Sequence, residues 1–206
     1  MASFELTVQF AANDVQQVNA AEQQVTIVKE VGGNAGSSVV WIAFSPFENN
    51  QIDWEEEYGL YASTTSVQNG ATITKSAAVN PASSGVIYPF ESGAFSSPQG
   101  SLSSPNDYGV KNLSPSGLTF GLAQSVTVNS DPFEANPLNA VTVLTQQQAT
   151  FTAIEKLSVF LHSQFNNGVV ISDILGPPLQ VDFTHDPIQT IHYDPTQGKF
   201  VLGPLT

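Results

Sequence analysis

"IDWEEEYGLYAS", residues 52–63, sets three glutamates inside one of the most aromatic runs of the chain, and its reading decides the fold. Taken as an extended strand, Trp54, Glu56, Tyr58, Leu60 and Ala62 share one face. Asp53, Glu55, Glu57, Gly59, Tyr61 and Ser63 share the other. The first row is apolar except for Glu56 and belongs against a core; the carboxylates of the second belong in solvent. Glu56 is the anomaly. Either a bulge or a rim position turns it outward, or it lines a wet pocket in which Trp54 and Tyr58 supply stacking faces and Glu56 accepts hydrogen bonds.

Alternation at period two extends in both directions from this stretch. Phe4, Leu6, Val8 and Phe10 form one apolar row, and Val25 and Ile27 open another that runs to the turn "GGNAGS" (32–37). "SSVVWIAF" (37–44) is apolar on both faces, as suits a central strand. "YASTTSVQ" and "ATITKSAAV" flank Asn69-Gly70, a type I′ hairpin signal, and Asn167-Gly168 stands likewise between "KLSVFLHSQF" and "VVISDIL". "IQTIHYD" (188–194) and "KFVLG" (199–203) make a further hairpin. With "GVIYPF", "LTFGLAQSVTVN", "NAVTVL" and "LQVDFTH", about ten to twelve strands are expected. "ANDVQQVNAAEQQV" (12–25) fits a short helix or a polar connection. "TAIEKLSVFLHSQF" (152–165) has a capping-box opening, but Leu157, Val159 and Leu161 alternate, which favours a strand. Residues 91–107, rich in Ser, Pro and Gly, read as one long loop. The expected architecture is all-β: a single antiparallel β-sandwich, jelly-roll or Ig-like, spanning residues 1–206 with at most one or two short helices.

Composition narrows the function. The chain has 206 residues, of which 41% are hydrophobic and only 11% charged. Eighteen carboxylates face five lysines, arginine is absent, and the net charge is −13. Such a surface repels phosphate backbones and anionic lipid, so neither nucleic acid nor membrane insertion is expected. It also lacks the forked donor used on phosphates. With no cysteine, disulfides, thiolate metal sites and cysteine nucleophiles are excluded. "MASFELTVQF" lacks the basic and long apolar regions of a secretory signal, and no apolar run approaches the roughly 18 residues of a membrane span, so a cytoplasmic location is expected. A strand-rich surface of low charge density favours a homo-oligomer.

Three clusters are candidates for chemistry. Trp41, Trp54, Tyr58 and Tyr61 are the candidate stacking groups of a ligand cleft with Glu56 as its polar anchor; Trp41, inside "VVWIAF", has apolar neighbours in both registers and suits the core better than a ligand platform. Asp53, Glu55 and Glu57 form a same-face D-x-E-x-E row. That row resembles the E-x-D-x-E strand of laminarinase-type jelly-roll glucanases, with the acid types swapped at the first two positions, and the resemblance implies a glycoside hydrolase. "VDFTHDPIQTIHYD" (181–194) gathers Asp182, His185, Asp186, His192 and Asp194. Asp182, His185, His192 and Asp194 are the candidate N/O ligands for a divalent metal, while turn positions explain the aspartates unaided.

Phrases such as "YGLYASTT" (58–65), "DYGVKNLS" (107–114), "LTFGLAQSVTVN" (118–129) and "LNAVTV" (138–143) are similar in style to non-secreted mushroom fruit-body β proteins. That group includes lectins, pore-forming cytolysins and a pigment-carrying chromoprotein. The similarity carries no diagnostic motif and transfers no functional residue. It implies a non-catalytic binding protein for a small neutral or aromatic ligand: a glycan, a pigment or a metabolite. A structural or storage protein without ligand is the remaining alternative.

Overall fold

The computed structural model describes residues 2–163, 165–172 and 178–206. In chain order the elements begin with β1 (Ser3–Gln9), helix α1 (Ala12–Ala20), β2 (Gln23–Gly33), β3 (Ser37–Val39), β4 (Ile42–Phe44) and β5 (Asn49–Glu55). There follow β6 (Gly59–Ser63), β7 (Lys75–Val79), β8 (Ile87–Glu91), β9 (Ala94–Phe95), β10 (Asp107–Asn112) and β11 (Leu118–Val128). The chain continues with β12 (Asp131–Pro137), β13 (Asn139–Val143), β14 (Gln148–Ser163) and β15 (Val170–Ile171). It closes with β16 (Leu179–Asp182), β17 (Ile188–Asp194) and β18 (Lys199–Leu202).

The protein is an all-β sandwich. The larger sheet runs β15-β3-β13-β11-β5-β1-β17-β18, with β12 and β6 also paired to the long β11 and β7 paired to β6. The smaller sheet runs β4-β2-β14-β10-β8-β9, with β16 on β14. One apolar cluster fills the space between them. Phe4, Leu6, Val8, Ile52, Trp54, Leu60 and Leu122 of the larger sheet meet Val25, Ile27, Val110, Phe151, Leu157 and Val159 of the smaller. Burying one such aliphatic side chain contributes about 1.5–3 kcal/mol, so these matched rows are what hold the sheets face to face.

Several expectations need correction. The sheets are mixed rather than purely antiparallel, because β1 runs parallel to β17 and β8 parallel to β10. Alternation specifies which face of a strand is buried, and a parallel neighbour satisfies that as well as an antiparallel one. The strands are also more numerous than expected. "SSVVWIAF" is not one central strand: β3 belongs to the larger sheet and β4 to the smaller. Between them the chain crosses the sandwich at Val40-Trp41, whose backbone N–H groups donate to Val169 and Ile27. Apolar residues on both faces mark this crossing because both faces are inside.

The turns separate in the same way. Gln68 accepts from the Ala71 N–H across Asn69-Gly70, but only Gly70 has positive φ, so the turn is not type I′. β6 and β7 do pair antiparallel, joined by a long connection instead of a tight hairpin. After Asn167-Gly168 the chain leaves β14, and β15 pairs with β3; residues 173–175 of the strand expected there lie outside the described residues. The hairpin of β17 and β18 forms as expected, and residues 148–163 are strand. Helix α1 forms over residues 12–20 with Ala11 at its N-cap, Asp14 in its first turn and Val18 buried. Residues 91–107 contain β9, and Phe95 packs edge-on against Phe90 and Phe120.

The opening stretch is not continuous either. β5 ends at Glu55 and β6 starts at Gly59, and both pair with β11, at Thr127–Val128 and at Thr119–Ala123 respectively. At the kink the Glu56 N–H donates to Ala2 (2.8 Å) and Glu57 N–H to Glu55 (2.7 Å). β6 is buried on both faces: Leu60 and Ala62 enter the main core, while Tyr61 packs in a second cluster with Val39, Ile73, Ala123 and Ala140. The close approach of Tyr61 requires Gly121. A methyl group there would clash with the Asn139 backbone oxygen and lie 2.8 Å from Tyr61 Cε1 and 2.9 Å from Asn139 Oδ1. Gly121→Ala is therefore expected to cost about 1–3 kcal/mol in urea unfolding, and an unchanged midpoint would contradict this packing.

Candidate functional site

Two charged residues sit on rows that should be apolar. On β2 the inward row is Val25, Ile27, Lys29 and Val31; on β14 it is Ala149, Phe151, Ala153, Glu155, Leu157 and Val159. β2 and β14 are neighbours, and their register shifts between Ala153 and Leu157, where four steps on β14 match two on β2. This bulge carries Glu155 into position beside Lys29. Lys29 Nζ donates to Glu155 Oε2 at 2.6 Å and to Gln124 Oε1, from β11 of the facing sheet, at 2.8 Å.

Three rings surround the ammonium. Its nitrogen lies 5.4 Å from the Trp41 ring centre, 5.3 Å from that of Trp54 and 5.1 Å from that of Tyr58. Trp54 Nε1 donates to Glu155 Oε2 at 3.1 Å, and the Tyr58 hydroxyl donates to Glu155 Oε1. Trp41 Nε1 donates to the Gln124 backbone oxygen (3.1 Å), and Gln124 Nε2 to that of Glu55 (2.7 Å). Burial lowers the Lys29 pKa to about 8, although the carboxylates of Glu155 and Glu56 pull it up. Burial and then the Glu155 carboxylate push the Tyr58 phenol far up.

The aromatic cleft expected from the sequence is thus closed. Trp41 and Tyr61 are 0% exposed, Trp54 4% and Tyr58 2%. Three of these rings enclose the protein's own lysine, and Tyr61 belongs to the other cluster. Glu56 is exposed at the kink, so the half-buried carboxylate among the rings is Glu155. Glu56 still acts at a distance: after burial, its charge is the largest influence raising the Tyr108 phenol, whose ring lies 5.7 Å from that of Tyr58. Sequence reasoning missed this hub, and the signal that could have found it lies in Lys29 and Glu155, since a lone charge on an alternating apolar row demands a partner.

The solvent face of the larger sheet carries the open site. A groove of about 460 Å³ runs over β1, β5, β11 and β12, with Glu5, Asp53, Glu55, Glu57 and Glu134 as its acids and Phe133 and Ile188 among its apolar groups. All three members of the D-x-E-x-E row therefore meet one groove. Glu5 stands directly opposite Asp53 in the β1–β5 ladder. A second groove of about 390 Å³ adjoins it, lined by polar residues including Thr7, Asn49, Gln51, Asn129 and Ser130; Asp53 and Thr127 line both. Gln51 Nε2 donates to Asp53 Oδ1 at 3.1 Å, and the Ser125 hydroxyl to Glu134 Oε2 at 3.3 Å.

The histidine-rich segment does not assemble as a metal centre. Among the described residues no group of three or more His, Asp or Glu side chains is arranged to hold a metal. Asp182 caps Thr184 and pairs with Lys156 at 3.1 Å; Asp194 ties down Thr196 and Gln197, and these bonds hold both carboxyls down to about 2. His192 Nδ1 is bonded to the Gly203 carbonyl at 2.8 Å, and His185 joins no cluster. Local turn bonding uses the groups that a metal would need. Among the described residues no helix is long and apolar enough to cross a membrane.

Two outcomes follow from the hub. Glu155→Gln strips a buried ammonium of its counter-charge and is expected to cost about 3–5 kcal/mol in urea unfolding, while Glu56→Gln leaves the midpoint unchanged; equal effects would reverse the assignment of the half-buried acid. Because Tyr58 and Tyr61 keep their protons in the folded state, the unfolded chain loses protons first above pH 10. The contribution of these two tyrosines to stability is therefore fully present below pH 10 and falls above it, and Tyr58→Phe should flatten that fall in a pH series of unfolding curves. Compared with known proteins, the chain matches no family model, no curated protein and no solved structure.

Proposed function

We infer that the protein is a non-catalytic binding protein whose ligand, a neutral glycan, lies in the two-part trough on the outer face of the larger sheet. The observation that carries this reading is the junction of the two grooves at Asp53 and Thr127. Together they form a long polar channel with apolar relief. Sugar hydroxyls donate to carboxylates and amide oxygens, and the C–H faces of a pyranose pack on apolar side chains. Glu5, Asp53, Glu55, Glu57 and Glu134 supply acceptors, Asn49, Gln51 and Asn129 supply both donors and acceptors, and Phe133 supplies a ring. The same acids reject phosphorylated, sulfated and sialylated ligands by like-charge repulsion.

The Glu5–Asp53 pairing favours one second reading. Cross-strand partners bring their Cβ atoms to about 4.5–5.5 Å, compatible with the roughly 5 Å between carboxyl groups that a retaining glycosidase uses. Neighbours along the row Asp53, Glu55, Glu57 are about 7 Å apart, so in this reading Glu5 replaces one member of that row.

A glycan array followed by calorimetry tests both. Binding of neutral glycans is expected, weakened about tenfold by Phe133→Ala and by Asp53→Asn and unaffected by Glu56→Gln. Hydrolysis of a bound β-glucan that disappears in Glu5→Gln while binding persists would establish the enzyme instead. An array without any signal defeats both and leaves a structural or storage protein.

A further inference from the structure

Away from the trough, the hub between the sheets sets an amine, a carboxamide and a carboxylate in direct contact. We propose that Lys29 Nζ and Gln124 Cδ condense into an intramolecular isopeptide bond, with Glu155 relaying the protons. The smaller sheet would then be covalently tied to the larger.

An amine attacks an amide only as the free base, and two features supply that form. Burial brings the Lys29 ammonium down to about 8, and Glu155 Oε2 stands 2.6 Å away to receive its proton. Gln124 is fixed beside the amine. Its Oε1 lies 2.8 Å from Nζ, its Nε2 is fixed on the Glu55 carbonyl, and its own backbone oxygen is fixed by Trp41 Nε1. Such preorganisation replaces a bimolecular encounter, and slow amide exchange becomes feasible over the lifetime of a folded chain. Lys29 is 1% exposed and Gln124 1%, so water does not compete for the carbonyl carbon. Glu155, whose side chain keeps 15% exposure, opens the way out for the leaving group.

The step balances without any co-reactant. Lys29 passes a proton to Glu155, giving a neutral amine and a carboxylic acid. The nitrogen lone pair forms the N–C bond to Gln124 Cδ. The second amine proton and the one held by Glu155 move to Nε2, the Cδ–Nε2 bond breaks, and ammonium departs. Glu155 is then a carboxylate again, and the only net loss from the chain is one ammonia.

The intact mass of the folded, unaltered protein is the test, measured after several days at about pH 9. A mass about 17 Da below that of the sequence is expected, with a branched peptide joining the segments around Lys29 and Gln124 after digestion. Glu155→Gln, checked for folding by circular dichroism, is expected to keep the full mass. A folded wild-type protein that retains the full mass overturns the proposal, as does a loss of that size mapped to any other pair of residues. The mass is read on the native chain, so a variant that fails to fold leaves the result decisive. The glycan measurements are independent of it.

Discussion

A single cation, the ammonium of Lys29, sits in the middle of the sandwich, and the arrangement around it is dictated by the need to accommodate it. Stripping an ammonium of water costs several kcal/mol after relaxation, far more than one apolar contact returns. Each feature beside it answers that cost. The β14 bulge aims Glu155, β11 contributes Gln124, and Trp41, Trp54 and Tyr58 turn their faces to the charge. Because these groups come from both sheets and from the crossing between them, the ion fixes how the sheets are set against one another. An apolar core of the same volume would hold the layers together with less discrimination among sliding arrangements.

The hub and the trough are two sides of one strand. On β5 the even positions Ile52 and Trp54 face the core, and the odd positions Gln51, Asp53 and Glu55 face the grooves. Trp54 is pinned by Glu155 within, and Gln124 Nε2 holds the Glu55 carbonyl from within. The outward carboxylates therefore project from a backbone anchored on its other side, which keeps acceptors in place without mobile loops. Acids crowded on one face repel each other, and a rigid ladder is what makes such crowding tolerable.

Much of the fold was legible because period-two alternation reports burial directly. Phe4, Leu6 and Val8 are all inside, and so are Leu157 and Val159, where alternation outweighed the capping-box signal of Thr152 and Glu155. Pairing direction was not legible, since the β1 row reads the same beside a parallel β17 as beside an antiparallel partner. The kink at Glu56–Tyr58 was hidden for a related reason: Trp54, Tyr58 and Leu60 keep even parity through it, and only Glu56 escapes. The D-x-E-x-E row was correctly placed on one face. The site missed was the internal one, because Lys29 and Glu155 lie more than a hundred residues apart and nothing local joins them. What could be read was each residue's misfit on its own row.

The parallel neighbour of β1 bears on how the molecule is made. β1 lies between β5 and β17, so one flank of this early strand stays without its partner until residues 188–194 have left the ribosome. During that interval a row of amide and carbonyl groups, backed by Phe4, Leu6 and Val8, is open to any extended segment in the vicinity. Closure joins Glu5 to Ile188, stretches far apart in the sequence, a topology that slows folding and makes completion of the larger sheet wait for β17.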